Sequence, residues 1–159
     1  MGKRSVRENK NIYQLSREAM ELTRDQASER LEYISPERIE KIESEKVVPH
    51  PDEVMRMGEI YKNAELCNYY CTHECPIGQK YVPELKVKDL SQVTLEMLAS
   101  LNAMEDDKNR LIEITVDGQI TDDEKKDFIT INEKLQDISV AVQSLQLWVN
   151  QAIIDGSIK

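Results

Sequence analysis

Arg17-Glu18-Ala19-Met20-Glu21-Leu22-Thr23-Arg24-Asp25-Gln26-Ala27-Ser28 and Ser35-Pro36-Glu37-Arg38-Ile39-Glu40-Lys41-Ile42-Glu43 decide how the first part of this 159-residue chain folds. Thr23 is a good helix N-cap, and Gln26 three residues on completes a capping box. Ser35 is a second N-cap, followed by Pro36 at the first helical position, where its missing N–H costs nothing. Two short helices therefore begin close together, with Glu32-Tyr33-Ile34 between them and Leu31, Ile34, Ile39 and Ile42 to pack the pair. Pro49 and Pro51 interrupt the chain. Beyond them Val54, Met57, Ile60, Tyr61 and Ala64 mark one face of a further helix. Upstream, a leading helix over about Glu8 to Met20 offers Ile12, Leu15, Ala19 and Met20.

This succession resembles the lambda-repressor-like helix-turn-helix family (Cro/CI, or XRE, type). The residues that carry the resemblance are Leu22-Thr23, Ile39-x-x-Ile42-Glu43, Pro49 and Val54, in one register, with no gap from Ile39 to Tyr61. It covers about 60 of the 159 residues. The chain departs from the family in its turns. Leu31-Glu32-Tyr33-Ile34-Ser35 holds no glycine and one extra residue, and Glu45 stands where the family has glycine. Ser28 is the small residue of helix 2, and Ala27 fills a position that is usually larger.

The resemblance implies a transcriptional regulator that binds double-stranded DNA, with helix 3 in the major groove and the start of helix 2 on phosphate. Carried over by position, Arg24 contacts phosphate, and Glu37, Arg38 and Lys41 face base edges or flanking phosphates. Lys46 adds a backbone contact. Arginine holds guanine through O6 and N7, and glutamate accepts from cytosine N4. Lys3, Arg4, Arg7 and Lys10 form a basic arm suited to salt-dependent affinity. Against this, residues 1–66 carry 12 Lys and Arg and 14 Asp and Glu, a net of −2. DNA-binding domains more often carry a basic footprint. A protein-interaction adaptor that keeps the fold is therefore the rival reading.

The whole chain carries a formal net charge of −9. Most of it lies after residue 66, where 9 Lys and Arg face 16 Asp and Glu. Such a half repels nucleic acid and anionic membranes. Five glycines, five prolines and few β-branched runs make this an all-α composition. No apolar run approaches the roughly 18 residues that span a bilayer, and the N-terminus lacks the apolar stretch of a signal peptide. A cytoplasmic protein is expected. Enzyme chemistry is not, because there is no phosphate-cradling loop and no nucleophile elbow. No small-molecule substrate is indicated either.

Cys67-x-x-x-Cys71-x-His73-x-Cys75-Pro76 holds all three cysteines of the chain. On a helix, Cys67 and Cys71 share a face, and Pro76 puts Cys75 in the turn that follows. Three readings stay open. Cys67 and Cys71 extend the apolar series of Ile60 and Ala64 as small packed residues. Cys67, Cys71, His73 and Cys75 are a sufficient donor set for zinc, and three cysteines with an outside ligand suit an iron–sulfur cluster. A redox-sensing thiol pair is the third. No cofactor is fixed by the sequence, but metal or redox responsiveness through this cluster is an alternative function.

After Gly78 and Pro83 two apolar series run at coiled-coil spacing. One comprises Val87, Leu90, Thr94, Met97, Leu101, Met104, Lys108 and Leu111. The other comprises Phe128, Ile131, Leu135, Ile138, Val142, Leu145, Val149 and Ala152. Thr121 and Glu124 form a capping box for the second helix, and Asp155-Gly156 stops it. The segment from Glu113 to Glu124 has the outline of an EF-hand loop, but Glu113 and Thr115 are poor first and third ligands, and an Asp117-Gly118 turn explains it as well. The expectation is an all-α protein: a helix-turn-helix domain over 1–66, a Cys-rich junction over 67–83, and a long antiparallel helical hairpin over 84–159. The hairpin has more apolar surface than one neighbour needs, which points to a homodimer reading two half-sites.

Overall fold

The computed structural model describes residues 9–158, so Lys3, Arg4 and Arg7 of the basic arm and Glu8 lie outside it, and the leading helix, expected from about Glu8, starts at Ile12. Its described residues form an all-α fold with no strand. The first six helices are α1 (Ile12–Ala19), α2 (Arg24–Leu31), α3 (Pro36–Glu43), α4 (Pro51–Ile60), α5 (Glu65–Tyr69) and α6 (Pro76–Tyr81). A π-helical turn, Tyr70–Glu74, separates α5 from α6. Beyond them come α7 (Leu90–Glu105), α8 (Lys108–Thr115) and α9 (Lys125–Ile154). No helix among the described residues is long and apolar enough to cross a membrane.

The chain divides into two compact units. One comprises the residues up to Glu84 together with Asn150–Lys159, the other Leu85–Val149. The Cys-rich segment thus belongs with the N-terminal helices, and the last ten residues return to them.

In the first unit the helix starts follow the caps. Thr23 Oγ1 accepts from Gln26 N–H, and Thr23 N–H donates to Gln26 Oε1. Ser35 Oγ accepts from Arg38 N–H. Asn11 Oδ1 does the same for Gln14 N–H and starts α1. Four helix ends reverse through residues in the left-handed region: Glu21 (φ 57°), Glu32 (φ 69°), Glu45 (φ 59°) and Lys62 (φ 53°). Glycine takes this conformation without the Cβ clash that costs other residues roughly 1–2 kcal/mol. Leu31, Ile34, Ile39, Ile42, Val54 and Met57 are at most 1% exposed and form the core between α2, α3 and α4.

The α4 helix ends at Ile60, short of the Ala64 that the apolar spacing includes. Asn63 makes the break. Its N–H donates to Gly58 O, its Oδ1 accepts from Glu65 N–H, and its Nδ2 donates to Ser16 Oγ on α1. Gln151 near the end of α9 secures the same corner, accepting from Ala64 N–H at 2.9 Å and donating to Lys62 O at 3.0 Å. The backbone polar groups exposed by the break are thereby satisfied, as burial requires.

In the second unit the first apolar series is not one helix. It breaks between α7 and α8 at Asp106-Asp107, where three consecutive acidic residues, Glu105 to Asp107, meet. Lys134 on α9 pairs with Asp107 there, and Arg110 Nε donates to Asp127 Oδ2 at 2.9 Å. Gly118 (φ 72°) turns the chain, with Asp117 Oδ1 accepting from Gln119 N–H. Glu124 accepts from both the N–H and the hydroxyl of Thr121. The box holds a turn, and the helix proper begins at Lys125. Gly156 (φ 77°) ends it, with Ser157 N–H reaching Ala152 O. Burial does not follow the expected seams throughout. Val93, Ile114, Ile131, Ala141 and Leu147 are buried, whereas Leu101, Leu135 and Val142 are more than 40% or about 40% exposed.

Candidate functional site

The α3 helix is docked by charge as well as by apolar contact. Glu43, in its last turn, is 4% exposed. It accepts from Arg17 Nε at 2.5 Å and Arg17 Nη2 at 3.0 Å, and from Arg24 Nε at 2.8 Å. Arg17 Nη1 also donates to Leu22 O. One carboxylate therefore ties together α1, the start of α2 and the end of α3. Burial disfavours the charged guanidinium of Arg17, but Glu43 outweighs it and raises its pKa. Two-point Arg–carboxylate geometry is directional, so this cluster fixes orientation as well as proximity.

A second clasp joins α3 to α4. Arg38 donates from Nε to Glu53 Oε1 at 2.9 Å and from Nη2 to Glu53 Oε2 at 2.7 Å. Nη2 also reaches Val48 O at 3.3 Å. Glu53 accepts from His50 N–H at 2.7 Å and so caps α4 as well. Burial raises the Glu53 pKa, yet the Arg38 and His50 bonds prevail and hold it below the usual carboxylate range.

These pairs change the standing of the residues that the sequence nominates. Arg38 is engaged with Glu53, and Arg24 gives its Nε to Glu43 while keeping a side chain 35% exposed. Lys46 is exposed and lies 3.3 Å from Glu40. Glu37 and Lys41 stand exposed, one turn apart on the side of α3 opposite Ile39 and Ile42. The Glu37 carboxyl is lowered by its own backbone N–H and the Ser35 hydroxyl. Lys10 is paired to Glu18 at 2.5 Å. Sequence reasoning missed Arg17, Glu43 and Glu53. The available signal was a charged residue at an otherwise apolar spacing: Arg17 four residues after Tyr13, and Glu43 directly after Ile42.

The thiol segment is built differently from a ligand cage. Among the described residues no group of three or more His, Cys, Asp or Glu is arranged to hold a metal ion, so Cys67, Cys71, His73 and Cys75 are not gathered as one donor set. The local reasons are visible. The His73 ring stacks on Tyr69 with centroids 4.2 Å apart, and its Nδ1 sits 3.2 Å from Tyr69 O and 2.9 Å from Thr72 Oγ1. Cys75 Sγ accepts from Gly78 N–H at 3.5 Å. All three cysteines are free thiols; Cys67 is exposed, and Cys71 and Cys75 are half-buried. Loss of solvent around the sulfur, then the neighbouring thiol, raises the pKa of both Cys67 and Cys71.

The segment is held to α1. Tyr13 O–H donates to Glu74 Oε2 at 2.9 Å, and the Tyr13 ring meets Tyr69 edge to face at 6.0 Å. Burial lifts the Glu74 pKa more than the Tyr13 hydrogen bond lowers it. Gly78 is required where α6 crosses back, because a Cβ there would lie 2.1 Å from Cys71 O.

Comparison of the chain with family models, with curated proteins and with solved structures finds no match.

Proposed function

We propose that this chain is a sequence-specific DNA-binding regulator of the lambda-repressor-like helix-turn-helix type, acting as a homodimer. In this reading α2 and α3 are the helix-turn-helix pair. The observation that carries it is the two-sided build of α3. Ile39, Ile42 and Glu43 are buried against α1, α2 and α4, while Glu37 and Lys41 stand exposed on the opposite side. A recognition helix needs that combination, because base readout demands a rigid scaffold with a few side chains reaching a groove. Lys41 is then the main contact to base edges or phosphate, and Glu37 sets preference by accepting from cytosine N4. Arg38 acts by holding α3 on α4. The α7–α9 unit supplies self-association, supported by the exposure of Leu95, Leu98, Leu101 and Leu135.

Selection of DNA fragments by the purified full chain at moderate salt tests this reading. Enrichment of a two-fold-related motif is the expected result. Absence of any enrichment from a folded protein overturns it. One observation favours a second reading, a protein-interaction module. Arg24 and Arg38 both engage carboxylates of their own domain, which ties up two of the cations the resemblance would give to DNA.

A further inference from the structure

We propose that Cys71 and Cys75 are a modification site, forming an intramolecular disulfide on exposure to a hydroperoxide. The proposal is independent of whether the chain binds DNA.

The geometry is that of a pair poised on one turn. Residues four apart on a regular helix have Cβ atoms roughly 5–6 Å apart, farther than the roughly 3.5–4.5 Å that a disulfide takes, so one of such a pair must leave helical backbone for the bond to form. Cys67 and Cys71 have that spacing too, but both lie within helical backbone, which fixes their Cβ directions. Cys75 has left the helix. Its backbone is extended (φ −95°, ψ 117°), while its N–H still bonds Tyr70 O at 3.0 Å and closes the wide turn. One glycine touches both residues. Gly78 N–H meets Cys75 Sγ at 3.5 Å, and Gly78 Cα packs so tightly on the Cys71 backbone that no Cβ fits. Both cysteines are half-buried free thiols.

The chemistry balances with hydrogen peroxide as oxidant. The Cys75 thiolate attacks one peroxide oxygen; an S–O bond forms, the O–O bond breaks, and the departing hydroxide takes a proton to become water. The Cys71 thiolate then attacks the Cys75 sulfur; the S–S bond forms and the second oxygen leaves as water. Two thiols lose two electrons, and one peroxide becomes two waters. The bond would enclose Thr72, His73 and Glu74. Glu74 accepts from Tyr13 on α1, so oxidation bears on the helix that carries Arg17.

The test uses the full chain, reduced, desalted and treated with hydrogen peroxide, then alkylated under denaturing conditions. Cleavage after Glu74 separates Cys67 and Cys71 from Cys75, so the two peptides stay joined only through a disulfide. The expected product is a monomer about 2 Da lighter with one alkylatable thiol. Its joined peptides persist in Cys67→Ser and vanish in Cys75→Ser. Retention of all three thiols, a bond lost in Cys67→Ser, or crosslinks only between chains would each overturn the proposal. The wild-type and Cys67→Ser maps suffice if Cys75→Ser does not fold.

Discussion

Arg17 and Glu43, 26 residues apart in sequence, face each other through two hydrogen bonds in the interior of the first unit, with side chains 7% and 1% exposed. The pair sets the angle at which α3 stands on α1, because a two-point contact leaves little freedom to pivot. Glu43→Ala strips the buried Arg17 guanidinium of its two-point partner, which costs roughly 3–5 kcal/mol, whereas Arg17→Ala leaves Glu43 its bond to Arg24 and costs less. Glu43→Ala should lower the unfolding free energy by about that amount and Arg17→Ala by less, both obtained from denaturant unfolding, and the double variant should cost less than the two losses added. Additive losses in the double-mutant cycle would show that the two residues act separately.

Glu53 makes acid stability predictable in sign. Its folded carboxyl lies below the usual range, held there by Arg38 and the His50 N–H against the opposing effect of burial. A carboxyl lowered in the folded state contributes stability that is present above its unfolded pKa and lost as pH falls through the folded value. Glu18, which burial raises but Lys10 and Gln14 lower further, adds to the same trend. Glu74 is raised by burial and works the other way, gaining as it protonates. Thermal unfolding should therefore show a falling midpoint below about pH 4. Glu53→Gln should flatten that fall, and Glu74→Gln should steepen it by removing an opposing contribution.

Glu45 occupies a left-handed position just after α3. Its charge also opposes ionisation of Glu74 and Tyr69. Glu45→Gly relieves the backbone and removes a like charge, against the greater freedom that glycine gives the unfolded chain. The net expectation is stabilisation by about 0.5–1 kcal/mol, read as a rise in the denaturation midpoint. A fall would mean that the backbone there is relaxed with glutamate in place.

Gly78 tolerates no side chain. Gly78→Ala places a methyl on the Cys71 carbonyl, against backbone that cannot swing aside. The variant should lose about 1–3 kcal/mol and should expose Cys71 and Cys75 to faster alkylation by a neutral thiol reagent. Unchanged alkylation rates would contradict the close crossing of α6 over the wide turn.

The sequence made the helix starts legible, because caps are local. Thr23, Ser35, Pro36 and Pro51 each mark a boundary through chemistry within three residues. The all-α class followed from composition. Helix ends were less visible, since Glu32, Glu45 and Lys62 take conformations for which their residue type gives no sign. The break at Asp106-Asp107 was also hidden, because the apolar spacing continues across it. For the candidate site, Glu37 and Lys41 come from the resemblance by position, and both stand exposed on α3. The engagement of Arg38 did not, since Glu53 lies 15 residues away on another helix and only tertiary packing brings the two together. The thiols were visible as a cluster, but the stacking of His73 on Tyr69 and the crossing at Gly78 depend on the π-helical turn, which no spacing rule signals.

If the outer side of α3 reads DNA, Lys41 is the side chain on which that contact chiefly depends. The decisive measurement runs DNA-fragment selection in parallel on the wild-type chain and on Lys41→Ala, with thermal unfolding of both as the fold control. Lys41 is exposed, so the substitution should leave the melting temperature within about a degree of wild type, as surface changes do. The expected result is a two-fold-related motif enriched by the wild type and lost, or relaxed at the contacted position, in the equally stable variant. Equal enrichment of the same motif by both proteins, or none by either, would contradict it.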